Sequence, residues 1–233
     1  MSRFPVLLRK ELAALYTSPI AYAVITVFML VMGYTFTAFL FLQKTATLIH
    51  SFFQAATLLL LFVPVITMRL FAEERRAGTL ELLLTAPVRE IDVVLAKFVA
   101  SMSVVVVMIS LTIAYPVTLV IYGDPDLGPV YSGYLGLVLL GAGLVAVGLA
   151  VSAVTDNQIV AAVVSLGLFL MLWMLDTLGS LLPAPFDNFA IGLSLLAHFT
   201  PFATGALYLV DLAYFLTLVL TGLVLGVRAL ARR

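Results

Sequence analysis

Arg69-Leu70-Phe71-Ala72-Glu73-Glu74-Arg75-Arg76-Ala77-Gly78-Thr79-Leu80-Glu81-Leu82-Leu83-Leu84-Thr85-Ala86-Pro87-Val88-Arg89-Glu90-Ile91-Asp92 lies between two long apolar runs, and the second of them opens on Lys97. From Arg69 to Lys97 there are five basic and five acidic residues, a glycine and a proline. A bilayer core has no water to solvate such a cluster, so each flanking run must reach the surface here. The island is therefore the turn between two membrane spans, and its charge suits it to docking a soluble partner.

The rest of the chain agrees. Of 233 residues, 64% are hydrophobic and only 10% charged, and the mean hydropathy is +1.21. No water-soluble domain hides that much apolar surface. The expected class is an all-α integral membrane protein, since the apolar runs are continuous whereas barrel strands alternate. A net charge of zero argues against a nucleic-acid partner. With no cysteine, disulfides and thiol chemistry are excluded.

Six stretches are long enough to cross a bilayer, which takes about 20 apolar residues. They run approximately over 19–42, 52–71, 93–121, 131–154, 159–182 and 207–227 of a single transmembrane domain, 1–233. Arg3, Arg9 and Lys10 precede the first span, Arg69, Arg75, Arg76, Arg89 and Lys97 flank the second and third, and Arg228, Arg232 and Arg233 follow the sixth. Only Lys44 falls on the other side, so the positive-inside rule puts both termini in the cytoplasm. Pro116 predicts a kink near the outer end of the third span.

Before the first span, Phe4, Leu8, Leu12, Leu15 and Tyr16 share a helical face that ends ahead of Pro19, with Arg9 and Lys10 pointing elsewhere. This predicts an interfacial elbow helix, or a basic flank that only fixes topology. Within the island, Gly78 is suited to ending one helix and Thr79 to capping the next, with Glu81 in its first turn. Leu80, Leu83 and Leu84 then form an apolar stripe, and Pro87 stops the helix. Arg69 and Glu73, four apart, and Glu73 and Arg76, three apart, are spaced for ion pairs worth only a few tenths of a kcal/mol. The bland alternative for the island is an ordinary solvated loop.

The run from Glu74 through Gly78-Thr79, Glu81 and Pro87-Val88 to Lys97 resembles the signature of type-two ABC transporter permeases. Arg9-Lys10-Glu11-Leu12 with Ser18-Pro19, and His198-Phe199 followed by Gly205, Asp211 and Tyr214-Phe215-Leu216, are similar to the gliding-motility type of permease within that family. The resemblance implies a six-span subunit that pairs with a second permease subunit, identical or related. It also implies a cytoplasmic coupling helix after span 2, offered to a separate ABC ATP-binding subunit. The matching coupling positions are Glu73, Glu74, Gly78, Thr79, Glu81 and Pro87, and a short segment before span 6 is expected to re-enter the outer leaflet. Such a protein works in the cytoplasmic membrane of a bacterium or archaeon, surrounded by membrane lipid.

Absences fit that division of labour. The sequence has no Gly-x-x-x-x-Gly-Lys-Ser/Thr and no Gly-Lys dipeptide, so it offers no phosphate loop and is expected not to be an enzyme. ATP and Mg²⁺ are expected on the partner, and no cofactor on this chain. The two histidines, His50 and His198, lie in different segments, which argues against a metal site. Asp176, His198 and Asp211 are the candidates for lining the path or forming an outer gate, because intramembrane acids are costly. Their depth near the outer side equally suits interfacial residues touching water.

Gly141, Ala142, Gly143, Ala146, Gly148 and Ala150 crowd the fourth span, and Gly222 and Gly226 form a small pair in the sixth, which suggests close helix packing. Between Pro183 and Gly205, Asn188 is placed to cap a short helix from Phe189 to about Phe199. The functions left open are an ATP-driven transporter subunit, with export the expected direction, an ATPase-coupled component of motility or envelope machinery, and an ATP-independent channel or carrier. The cargo is not legible.

Overall fold

Long apolar runs in a membrane protein become helices because only a helix satisfies its own backbone hydrogen bonds. The computed structural model describes residues 4–43, 45–76, 78, 89–179, 181, 183 and 186–231. Their regular structure is entirely helical: α1 (Phe4–Thr17), α2 (Pro19–Gln43), α3 (Ile49–Thr67), α4 (Ala72–Arg76), α5 (Glu90–Leu111), α6 (Ala114–Tyr122), α7 (Leu127–Val154), α8 (Gln158–Gly179), α9 (Phe186–Gly192), α10 (Leu195–Thr204) and α11 (Leu209–Ala231). Among the described residues, six helical stretches are long and apolar enough to cross a membrane: Pro19–Leu42, Ile49–Arg76, Glu90–Tyr122, Leu127–Val154, Gln158–Gly179 and Leu209–Ala231.

α7 is the hub. It packs against α3, α5, α8, α10 and α11, most extensively against α11. Its small residues make this possible, each meeting a different neighbour. A Cβ on Gly148 would run into the Thr67 hydroxyl of α3, one on Gly141 would lie 2.7 Å from Val105 of α5, and one on Gly136 2.5 Å from Phe202 of α10. The small-residue stripe of the fourth span therefore serves packing within the chain. By contrast, α2, α8 and α11 keep most of their surface outward, toward lipid or another chain.

Two of the spans break. Pro116 lacks the amide that would reach back to Thr112, and its ring crowds that carbonyl; the third span accordingly breaks between α5 and α6, at Thr112 and Ile113. The second span leaves α-helical form at Met68 and resumes at Ala72. There the Ser152 hydroxyl of α7 accepts from the amides of Phe71 (3.2 Å) and Ala72 (3.3 Å) and donates to the Met68 carbonyl (3.1 Å). At the opposite end of α7, the Ser132 hydroxyl donates to the Phe202 carbonyl of α10 at 2.8 Å.

The segment before the last span departs from expectation. Instead of one helix from Phe189 capped by Asn188, there are two, α9 and α10, divided at Leu193 and Ser194. Ser194 is the cap, its side chain accepting from the Ala197 amide. Gly192 is a poor helix former and a serine two residues on supplies a start signal, which together outweigh Asn188. Gly205 ends α10 with φ at +100°, a conformation open to glycine.

Candidate functional site

α1 buries Leu7 and Glu11, one helical turn apart, against α5. A carboxylate at the centre of a buried face needs a counter-charge, and Lys97 supplies it. Lys97 lies two turns into α5 and is only 2% exposed. Its Nζ stands 3.0 Å from Glu11 Oε2 and 2.9 Å from Glu74 Oε2 of α4, with the Phe71 ring 5.1 Å away. Lys10 closes the set at 3.1 Å from Glu74 and 3.5 Å from Glu11. Two lysines and two glutamates thus form a neutral network joining α1, the last turn of the second span and the first turns of the third.

Electrostatics favour the charged form of Lys10. Burial alone pushes the Lys10 ammonium toward its neutral form, but the Glu74 and Glu11 carboxylates overcome this and hold its pKa above the usual 10.5. Because the value is raised, this contribution to stability is complete below the ordinary lysine pKa. It is lost only as pH rises through the elevated one.

Around the network, further contacts brace the same corner. Tyr16 and Ser103 hydroxyls share a 3.2 Å hydrogen bond between α1 and α5. Arg75 Nε lies 3.2 Å from Asp156 in the turn between α7 and α8. A cleft of about 330 Å³ opens alongside, bordered by Glu11, Ser18, Arg69, Glu73, Glu74 and Lys97. Just past α4, Gly78 has φ at +68° and its amide donates to the Arg75 carbonyl at 3.1 Å.

The sequence-predicted coupling residues divide. Glu73 is exposed and pairs with Arg69 at 4.0 Å; the Glu73–Arg76 pair that spacing permits does not form, α4 being a helix of five residues that ends at Arg76. Glu74 reaches the two lysines, Lys10 at 3.1 Å and Lys97 at 2.9 Å. Gly78 is the turn just described, whereas Thr79, Glu81, Pro87 and the leucine stripe lie outside the described residues. Glu11 is the residue that sequence reasoning missed: it sits on the buried face of α1, beside the apolar set Phe4, Leu8, Leu12, Leu15 and Tyr16. The available signal was Lys97, a lone cation in an apolar run that has to be neutralised.

At the other end of the bundle the structure joins His198 and Asp211 and leaves Asp176 apart. His198 Nδ1 lies 2.6 Å from Asp211 Oδ1, its Nε2 3.1 Å from the Gly192 carbonyl, and its ring stacks on Tyr214 with centroids 4.0 Å apart. A carbonyl only accepts, so a hydrogen bond to Gly192 is donated by Nε2. Tyr214 in turn donates to the Leu193 carbonyl at 2.8 Å. Asp211 is buried, which corrects the expectation of an interfacial acid touching water. The cluster ties the α9–α10 hairpin to the start of α11. Asp176, half-buried on α8, makes no hydrogen bond or ion pair among the described residues.

One end of the molecule thus carries a charged junction built around the turn between the second and third spans, and the other a broken hairpin latched to the last span. No curated protein matches the chain. The family model described as ABC-2 family transporter protein matches residues 6–232, nearly the whole length and both of these features. The chain is therefore a multi-pass membrane protein of the ABC-2 transporter family, a permease component of an ABC transporter.

Proposed function

We propose that the chain is the transmembrane subunit of an ATP-driven exporter, pairing with a second permease chain and with a separate ATP-binding-cassette subunit that holds ATP and Mg²⁺. Its basic end faces the cytoplasm of a bacterial or archaeal cell, by the distribution of Lys and Arg. The ATPase docks on the 73–87 segment, where Glu73, Gly78, Thr79, Glu81 and Pro87 form or shape the contact. Glu74 has a different part: it links that segment to Lys97 and so to the membrane helices. The observation that carries this reading is the four-charge junction. It fastens α1, α4 and α5 to one another beside the docking segment, so a push there moves three elements as a unit.

The coupling claim is tested at Glu81, which the sequence places opposite the Leu80, Leu83 and Leu84 stripe. Glu81→Lys reverses a charge at the docking surface, where like charges cost several kcal/mol, and leaves the apolar anchor intact. Membrane insertion is expected to persist while co-purification with the ATPase, or stimulation of its activity, falls at least ten-fold. Full stimulation by the Glu81→Lys protein would move the docking site elsewhere.

Orientation has its own test, made simple by the absence of native cysteine. Single cysteines at Asp124 and Arg232 are expected to differ: a membrane-impermeant thiol reagent applied to intact cells labels only the first. Labelling of both from outside would overturn the arrangement with both termini in the cytoplasm.

A further inference from the structure

α8 and α11 both pack on α7 yet barely touch each other. Toward the far end of the bundle the gap between them is filled by α10, which packs against α7, α8 and α11. Toward the basic end it stays open, as an apolar groove of about 870 Å³. Its floor includes Ala150, Ala153 and Gly222, too small to fill it; its walls include the exposed Val164 and Leu225; and Arg228 stands at its mouth.

Length and charge identify an occupant. Along α11 the groove runs from Arg228 to Leu218, ten residues or about 15 Å at 1.5 Å each, which is half of a hydrocarbon core of about 30 Å. It is one leaflet deep. Water gains no hydrogen bonds in an apolar groove, so in a bilayer an acyl chain takes the space. Arg228 is exposed and has no acidic partner among the described residues. Its planar guanidinium offers paired donors suited to a phosphate, at the depth where basic pockets between spans hold anionic headgroups.

We propose that this groove is a binding site for one anionic phospholipid of the leaflet on the basic side, its phosphate on Arg228 and an acyl chain between α8 and α11. The site stands independently of the docking segment and of any cargo.

Native mass spectrometry of the purified full-length protein, titrated with phosphatidylglycerol or phosphatidylcholine, provides the test. The wild type is expected to keep one phosphatidylglycerol per chain, preferred over phosphatidylcholine about five-fold, as one interfacial arginine implies. Arg228→Gln should abolish the preference. Val164→Trp, placed on an exposed groove wall, should displace both lipids from this site without disturbing the core. An undiminished preference in Arg228→Gln, or undiminished retention in Val164→Trp, would overturn the proposal. So would efficient disulfide cross-linking between Leu225→Cys residues of two chains in native membranes, since a second copy would then cover the groove.

Discussion

Replacing Lys97 with methionine is expected to destabilise the protein by about 3–5 kcal/mol, the cost of removing one partner from a buried ion pair. Methionine nearly matches the lysine stem in volume, so packing against Phe71 survives and the loss is electrostatic. Glu11 and Glu74, each within 3.0 Å of the lysine Nζ, would lose that shared counter-charge and be left facing one another beside the half-exposed Lys10. Combining Lys97→Met with Glu11→Gln and Glu74→Gln removes the charges together and should restore most of the stability, because an intact buried ion pair adds little over a neutral replacement. Thermal unfolding in detergent measures both effects. The triple variant also separates structure from coupling: if the ion pairs carry motion from the docking segment, it should fold yet stimulate the ATPase poorly. A single Lys97→Met protein as stable as wild type would remove the junction from the account.

Much of this architecture was legible because its causes are local. Continuous apolar runs specify membrane helices, and Pro116 acts on its own turn, so the six spans and the kink could be read directly. The charged junction was not legible in full because its members are distant in sequence. Glu11, Glu74 and Lys97 each look like a charge at a membrane edge, and only the packing of α1 on α5 brings them together. Glu11 shares the buried face of α1, since a charge with a fixed counter-ion can be buried. Likewise His198 and Asp211 are 13 residues apart, and it takes the turn at Gly205 to make them neighbours. Ser132 and Ser152 gave no signal at all. A serine in an apolar helix looks the same whether it bonds its own backbone or holds the broken end of another helix.

The glycines of the bundle provide a graded test of that packing. A Cβ on Gly222 would lie 2.6 Å from the backbone carbon of Ala146, at the α7–α11 contact. Backbone cannot rotate out of the way as a side chain can, so the helices must separate. Gly222→Leu is expected to cost at least about 3 kcal/mol, the upper end for overpacked cores. Gly226 is more forgiving: a Cβ there would meet first a terminal methyl of Leu149, at 2.8 Å, and Gly226→Ala needs only a rotamer change. A Cβ on Gly167 would meet nothing within 4 Å, so this position should accept leucine within about 0.5 kcal/mol, as open surface positions do. Unfolding of the three variants in the same detergent should follow that order. Because α11 carries Asp211 at one end and Arg228 at the other, separating it from α7 should also disturb both the latch to His198 and the groove beside Arg228. A Gly222→Leu protein that unfolds with the wild type would mean that α7 and α11 do not pack this closely, and the hub assigned to α7 would have to be redrawn.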